Sequence, residues 1–394
     1  MASHSNYWYE ITSEKEWTLA DFALRMGELH PRLKEENALE IACGSLPEQT
    51  RLSVITFNYR SLDELGLPLT MSSLLVIPFA GGCFSAPRLV LENRATQAAD
   101  KSGPTHQWNI CTVHALSNSV LVSPDLMSFG ASVDRPICYC HGALAARNTV
   151  DAAIAAQTIL MNRKLTDAPL PVYNTGHSQG GFDALAVHRY METAATPEEC
   201  RMLPLVKSYC ASGPYAPDVL TEVVSPREKY LYGAYMVLNV MSYLHYRKDC
   251  LPAGLSVSDF LTPAAHELGI EQLIACKEHS NTELVKTVVS ALGTRTTALF
   301  IEDACKPGGY LYGILMEAYR KERQIDGWKP QKPIWFYHAK HDECVVVECM
   351  YAAREAFAGC PNVVFEEDEA APDAMVHKYS GGAYHRRILL GNWF

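Results

Sequence analysis

The stretch Pro169-Leu-Pro-Val-Tyr-Asn-Thr-Gly-His-Ser-Gln-Gly-Gly-Phe-Asp-Ala-Leu-Ala-Val-His-Arg-Tyr190 decides the fold. It opens as a short apolar run, reaches Gly176-His177-Ser178-Gln179-Gly180, and continues as a segment compatible with a helix. That order is the one in which a serine sits on a tight turn between a strand and a helix. The turn forces the serine backbone into a sparsely populated conformation, and flanking glycines remove side chains that would collide there. A helix starting directly after the serine aims free N–H groups and the positive end of its dipole at the hydroxyl. A bare Gly-x-Ser-x-Gly is equally what a glycine-rich turn looks like. Gly181, which permits close helix–strand packing, and the apolar run before the turn favour the strand–turn–helix setting.

The neighbouring segments repeat the alternation. Arg88–Asn93, Asn118–Asp125 and Leu205–Gly213 are short, nearly continuous apolar runs, the pattern of buried parallel strands. The alanine-rich stretch between Gly142 and Leu165 has helical spacing. Arg51–Arg60 and Leu69–Phe79 read as two strands joined by the turn residues Asp63–Pro68, an antiparallel pair at a sheet edge. Residues 1–50 read as a helical extension: Ser13-Glu14-Lys15-Glu16 has the capping-box pattern, and Trp17, Leu19, Phe22, Ala23 and Met26 follow at roughly helical spacing.

Residues 215–330 break the rhythm, with helix-like stretches and no convincing strand. Within them, Leu231–Tyr246 carries no charge and many large apolar residues. It suits either a cap helix lining an apolar pocket or a helix buried against the main domain. Strand character resumes at Lys332–His338. A helix near 345–358, a strand over Asn362–Glu367, a loop to His377 and a last helix near 382–391 follow. The expected architecture is α/β, a mostly parallel sheet flanked by helices. Its parts are an N-terminal extension (1–50), a first core segment (51–214), a helical cap insertion (215–330) and a second core segment (331–394).

A serine hydroxyl needs a base within hydrogen-bond reach, itself oriented by a third group. In this setting the partners follow in the order serine, acid, histidine. Asp342 stands just after a strand end, where a loop can hold a carboxylate toward an imidazole; the alternative role for it is N-cap of the 345–358 helix. Glu343 is the reserve acid. His377, in a loop, is the expected base, because His385 would lie inside the last helix with its ring less free to reach Ser178. The oxyanion hole needs two N–H donors: Gln179, and one from the loop around Arg94, Ala95 and Thr96, with Ala95 at its centre. That loop has no His-Gly-Gly-Gly signature.

Composition sets bounds. The chain has 394 residues and a formal net charge of -10, and no lysine/arginine cluster, so no nucleic-acid partner is expected. Thirteen cysteines scatter through predicted strands and helices rather than forming a disulfide framework. Cys138-Tyr139-Cys140-His141 lacks a second cluster at ligand spacing, so no metal or cofactor is expected. Many free thiols favour a reducing compartment, and the N-terminus shows no signal peptide, so the expected location is cytoplasmic. No window reaches the length of a transmembrane helix.

Three segments together resemble a known group. Val120-Leu-Val-Ser-Pro-Asp-Leu-Met-Ser-Phe-Gly-Ala-Ser132 resembles the V-x-x-D-Y-x-G-x-G loop of α/β-hydrolases, with Leu126 in place of the tyrosine. Tyr139–Ala153, ending in Asp151-Ala152-Ala153, resembles the G-x-x-x-A-x-x-x-L-D-A-x-R-A helix of the secretory lipase family. Gly176–Gly181 resembles that family's G-Y-S-Q-G-G elbow. The resemblance implies an α/β-hydrolase core, a helical insertion before the acid-bearing strand, and lipase or carboxylesterase activity through Ser178, Asp342 and His377. The substrate expected is a small ester with an apolar group. Two rival readings are a serine peptidase of the prolyl-oligopeptidase type, which shares the elbow, and a catalytically inactive hydrolase-like binding protein.

Overall fold

The computed structural model describes residues 7–29, 38–44, 46–99, 110–369 and 376–390. The chain opens with β1 (Tyr9–Thr18), α1 (Leu19–Leu29) and α2 (Ala38–Gly44). Next come β2 (Arg51–Leu62), β3 (Pro68–Ala80), the short β4 (Cys83–Phe84), β5 (Leu89–Asn93) and β6 (Val120–Pro124). Then α3 (Gly142–Asn162), β7 (Val172–His177), α4 (Gln179–Thr193), α5 (Pro197–Met202) and β8 (Leu205–Ala211) alternate. The described elements between Ala211 and Ile334 are helical, from Pro217–Val224 to Tyr310–Lys321, apart from an isolated bridge between Leu261 and Phe300. After them come β9 (Ile334–Ala339), α6 (Glu348–Ala356), β10 (Val363–Asp368) and α7 (Val376–Leu390).

One ten-stranded sheet runs in the order β1-β2-β3-β6-β5-β7-β8-β9-β10, with β4 paired to β3. From β6 through β10 every neighbouring pair is parallel, while β1, β2 and β3 are antiparallel additions. The middle strands read as continuous apolar runs because helices cover both faces. On one face α3 packs over β2, β3, β5 and β6, burying Val150, Ile154 and Ile159. On the same face α6 packs over β8 and β9, burying Cys349, Met350 and Ala353. The opposite face carries α1 and α2, with Phe22 and Met26 against Val54, Leu74 and Val90, and α7, with Tyr384 against Tyr209, Trp335 and Tyr337.

The structure corrects the reading of two regions. Residues 9–18 form a strand, antiparallel to β2, with Tyr9 opposite Tyr59 and Trp17 opposite Leu52. The acidic residues that suggested a helix cap make cross-strand and tertiary pairs instead. Glu14 accepts from Ser53 and Arg163, and Glu16 pairs with Arg51. Exposed antiparallel edges are stabilised by such opposite-charge pairs, which override a weak local helix signal. The turn into α1 is capped further along, where Thr18 Oγ1 accepts the Asp21 N–H at 3.1 Å. The last helix begins by Val376, so His377 lies in a helix rather than in a loop. Leu231–Tyr246 is helical from Gly233, and Val237, Leu238 and Tyr243 are fully buried in a core the insertion shares with Phe129, Tyr139 and Phe182.

Phe336 on β9 is fully buried, stacked on Phe365 at 4.9 Å and edge-on to Tyr215 at 5.0 Å. Deleting the ring leaves a cavity directly before the loop that carries Asp342. Phe336→Ala is expected to destabilise the protein by about 3–5 kcal/mol, read as a lower urea midpoint with an unchanged slope.

Candidate active site

Ser178 joins β7 to α4 with φ 61° and ψ -126°, a backbone conformation that non-glycine residues seldom adopt. Two glycines make the turn possible. A Cβ on Gly176 would stand 2.0 Å from the Gly180 carbonyl oxygen, and one on Gly180 would stand 2.1 Å from the Asn93 carbonyl oxygen. The second approach brings the loop after β5 onto the elbow. That loop is held by buried polar bonds: Asn93 Nδ2 donates to Asn174 Oδ1 at 2.7 Å, and Arg94 Nε to the Pro124 carbonyl at 3.0 Å. The Glu92-Asn93-Arg94 run therefore ties β5 to β7 and β6. The expected oxyanion residues Gln179 and Ala95 lie on the two sides of this contact.

Ser178, His377 and Asp342 form one hydrogen-bonded chain. His377 Nε2 is 2.9 Å from Ser178 Oγ, and His377 Nδ1 is 2.7 Å from Asp342 Oδ2. The other Asp342 oxygen accepts the N–H groups of Cys344 and Val345, both at 2.9 Å. Asp342 thus orders its own loop, as a cap would, while facing the imidazole. Burial opposes its charge. The His377 imidazole beside it, His338 and the Val345 N–H outweigh that cost and hold its carboxyl below the usual range. Burial also opposes charge on His377, but the Asp342 carboxylate, and more distantly Glu343, raise its proton affinity above the ordinary value.

Glu343, the reserve acid, has a different place. Its Oε2 accepts the His377 backbone N–H at 3.0 Å, and its Oε1 accepts the Tyr232 hydroxyl at 3.0 Å. Tyr230 donates to the Cys344 carbonyl at 3.0 Å, and Asn281 Nδ2 to the Thr96 carbonyl at 2.6 Å. The helical insertion therefore grips both the acid loop and the loop after β5. Ser178 beneath it is only 6% exposed.

His385, weighed against His377, is buried eight residues further along α7 and hydrogen-bonds His114 at 3.1 Å. His177, in the elbow itself, packs its ring 4.7 Å from that of His377, and burial pushes its basicity well down. Cys138 and Cys140 are buried, and they are free thiols, as are the other cysteines whose side chains are described.

One polar residue escaped the sequence reading. Asp183, one turn after Gln179 on α4, lines a cavity of about 20 Å³, room for roughly one water, together with Asn93, Arg94, Gln179 and His141. Burial pushes its carboxyl well up from the ordinary carboxylate range. The Gln179 amide approaches it, yet neither carboxyl oxygen reaches ordinary hydrogen-bond geometry with a described residue. An aspartate in a helix next to a small apolar residue gives no advance sign of this.

Comparison with known proteins places the fold. No family model matches the chain, and no curated protein matches it by sequence. Among solved structures, it is similar to the rice cell wall degrading esterase LipA from Xanthomonas oryzae, with 20% identity over 96% of both chains and a TM-score of 0.73. A putative hydrolase from Legionella pneumophila matches at 17% identity over 97% of this chain and 95% of its own, with a TM-score of 0.75. Candida antarctica lipase A matches at 13% identity over 92% of this chain and 77% of its own, with a TM-score of 0.58. Among the described residues no helix is long and apolar enough to cross a membrane. The mostly parallel sheet, its flanking helices and these likenesses make this chain an α/β-hydrolase fold.

Proposed function

We propose that the protein is a serine hydrolase of carboxylic esters. The observation that carries this reading is the hydrogen-bonded chain from Ser178 through His377 to Asp342, 2.9 Å and 2.7 Å long in its two links, with Ser178 on a strained elbow. Likeness in fold to an esterase and a lipase supports the substrate class.

The proposed mechanism uses this geometry. Ser178 Oγ attacks the ester carbonyl carbon while His377 Nε2 takes its proton, and Asp342 stabilises the imidazolium. The carbonyl oxygen becomes an oxyanion, met by the N–H of Gln179 at the start of α4 and by the N–H of Ala95. Collapse expels the alcohol, which takes the proton back from His377. Water then attacks the acyl-serine by the same steps, releasing the acid and restoring Ser178. Burial of the serine and the aromatic groups Tyr139, Tyr232 and Tyr235 around the insertion favour an ester with an apolar part. No observation favours the peptidase or the inactive-binder readings.

Ser178→Ala is expected to lower kcat on p-nitrophenyl butyrate by roughly 10⁶-fold and to abolish labelling by a fluorophosphonate, with an unchanged circular dichroism spectrum. Turnover near wild type by that variant would remove Ser178 from the mechanism.

The pH dependence has a definite sign. His377 must be neutral to accept the proton, and its proton affinity is raised above the ordinary 6.5. Activity is therefore lost as pH falls through that raised value, and the acid limb of kcat/KM lies above pH 6.5. Glu343→Gln keeps an acceptor for the His377 N–H but removes a negative charge that contributes to the shift, so the acid limb should move to lower pH. A limb that stays put or moves upward would assign Glu343 no electrostatic part.

A further inference from the structure

On the sheet face covered by α1, α2 and α7, three side chains from distant parts of the sequence converge. Glu92 comes from β5, His114 from the 3₁₀ turn Ile110–Ser117, and His385 from α7. They are 0%, 0% and 2% exposed. His114 Nε2 lies 3.1 Å from His385 Nδ1 and 3.7 Å from Glu92 Oε2, and the three ligand atoms all lie within 4.8 Å of one another. The proposed hydrolysis uses none of these residues.

We propose that Glu92, His114 and His385 form a binding site for a first-row divalent transition-metal cation, with zinc the ion their donor set suits best. Two imidazole nitrogens and one carboxylate oxygen are a common protein donor set for zinc. The spacing fits. A point equidistant from corners with these separations lies about 2.0–2.4 Å from each, against about 2.0–2.2 Å for zinc to nitrogen or carboxylate oxygen. Two nitrogens on a tetrahedral zinc stand about 3.3 Å apart, close to the 3.1 Å between the two rings.

The position defines what the ion does. Eight residues separate His385 from His377 on α7, about 12 Å along the helix, so the site stands apart from the serine chemistry. Glu92 directly precedes Asn93 and Arg94, whose backbone packs on the elbow. A bound cation therefore cross-links β5, the 3₁₀ turn and α7, fastening the strand that leads to the oxyanion loop to the helix that presents the base. It needs no path to substrate, and its role is structural.

The test uses the full-length protein with its thiols alkylated beforehand, since Cys83, Cys200 and Cys276 are exposed and would bind metal on their own. After chelation, the protein is dialysed against Zn²⁺ or Co²⁺ and then against metal-free buffer. One metal per chain should be retained, the Co²⁺ form should show visible bands of low-symmetry cobalt, and Zn²⁺ should raise Tm by several degrees. His385→Gln and Glu92→Gln should lose both retention and the Tm rise. His114→Gln, checked for folding by circular dichroism, guards against a variant that merely fails to fold. Retention below about one tenth of a metal per chain with no Tm shift overturns the proposal, as does equal retention by wild type and folded variants. Neither result bears on the ester-hydrolase reading, which Ser178→Ala tests separately.

Discussion

The backbone at Ser178 is the constraint on which the rest of the site depends. At φ 61° and ψ -126° it stores on the order of 1–3 kcal/mol of strain. Such a conformation persists only where the surroundings over-determine it. Here the surroundings are backbone: the Gly180 carbonyl against Gly176, the Asn93 carbonyl against Gly180, and the Ser178 N–H donating to the Ala211 carbonyl at 2.9 Å. Three parallel strands and one helix meet here backbone to backbone. The serine stands above the sheet edge because everything below it is too tight to let the turn relax.

A second constraint is electrostatic. His377 and Asp342 sit where water is scarce, so each would lose its charge if left alone. Together they do the opposite, each favouring the charged form of the other. Glu343 adds to this from the far side, taking the His377 N–H while it holds the Tyr232 hydroxyl of the insertion. The same insertion reaches the other loop through Asn281 and Thr96. A roof fixed to both loops at once cannot move without disturbing His377 and the loop after β5 together.

Much of this was legible from local pattern. The elbow announces itself through glycine spacing and an apolar approach, the parallel strands through unbroken hydrophobic runs, and Asp342 through its place after a strand. What failed was tertiary. Ser13-x-x-Glu16 carries helix-cap chemistry, yet the edge of β2 offered cross-strand partners in Ser53 and Arg51 that a short helix could not match. Glu343 could be read only as a spare acid, because its two partners, Tyr232 and His377, lie 111 and 34 residues away. The Glu92–His114–His385 cluster draws on β5, a 3₁₀ turn and α7, and no spacing within any one segment hints at it.

The placement of His377, the proposed base, combines rigidity with reach. The expectation that the base needs a loop assumes that a helix would hold its ring away from the serine. Here the ring projects from the first described turn of α7, so the helix supplies stiffness while its end supplies reach. The stiffness is secured lower down. Tyr384 OH accepts the Gly176 N–H at 3.0 Å and donates to the Tyr209 carbonyl at 3.1 Å, so the helix is bonded to the strand that carries the elbow and to its neighbour. Seven residues of helix between that anchor and His377 amount to about 10 Å of rod. Ser178 and His377 are thus fastened to one another twice, through their own side chains at the top and through Tyr384 beneath. A helix so anchored holds the 2.9 Å contact with less ordering cost at the moment of reaction than a loop that must first find it.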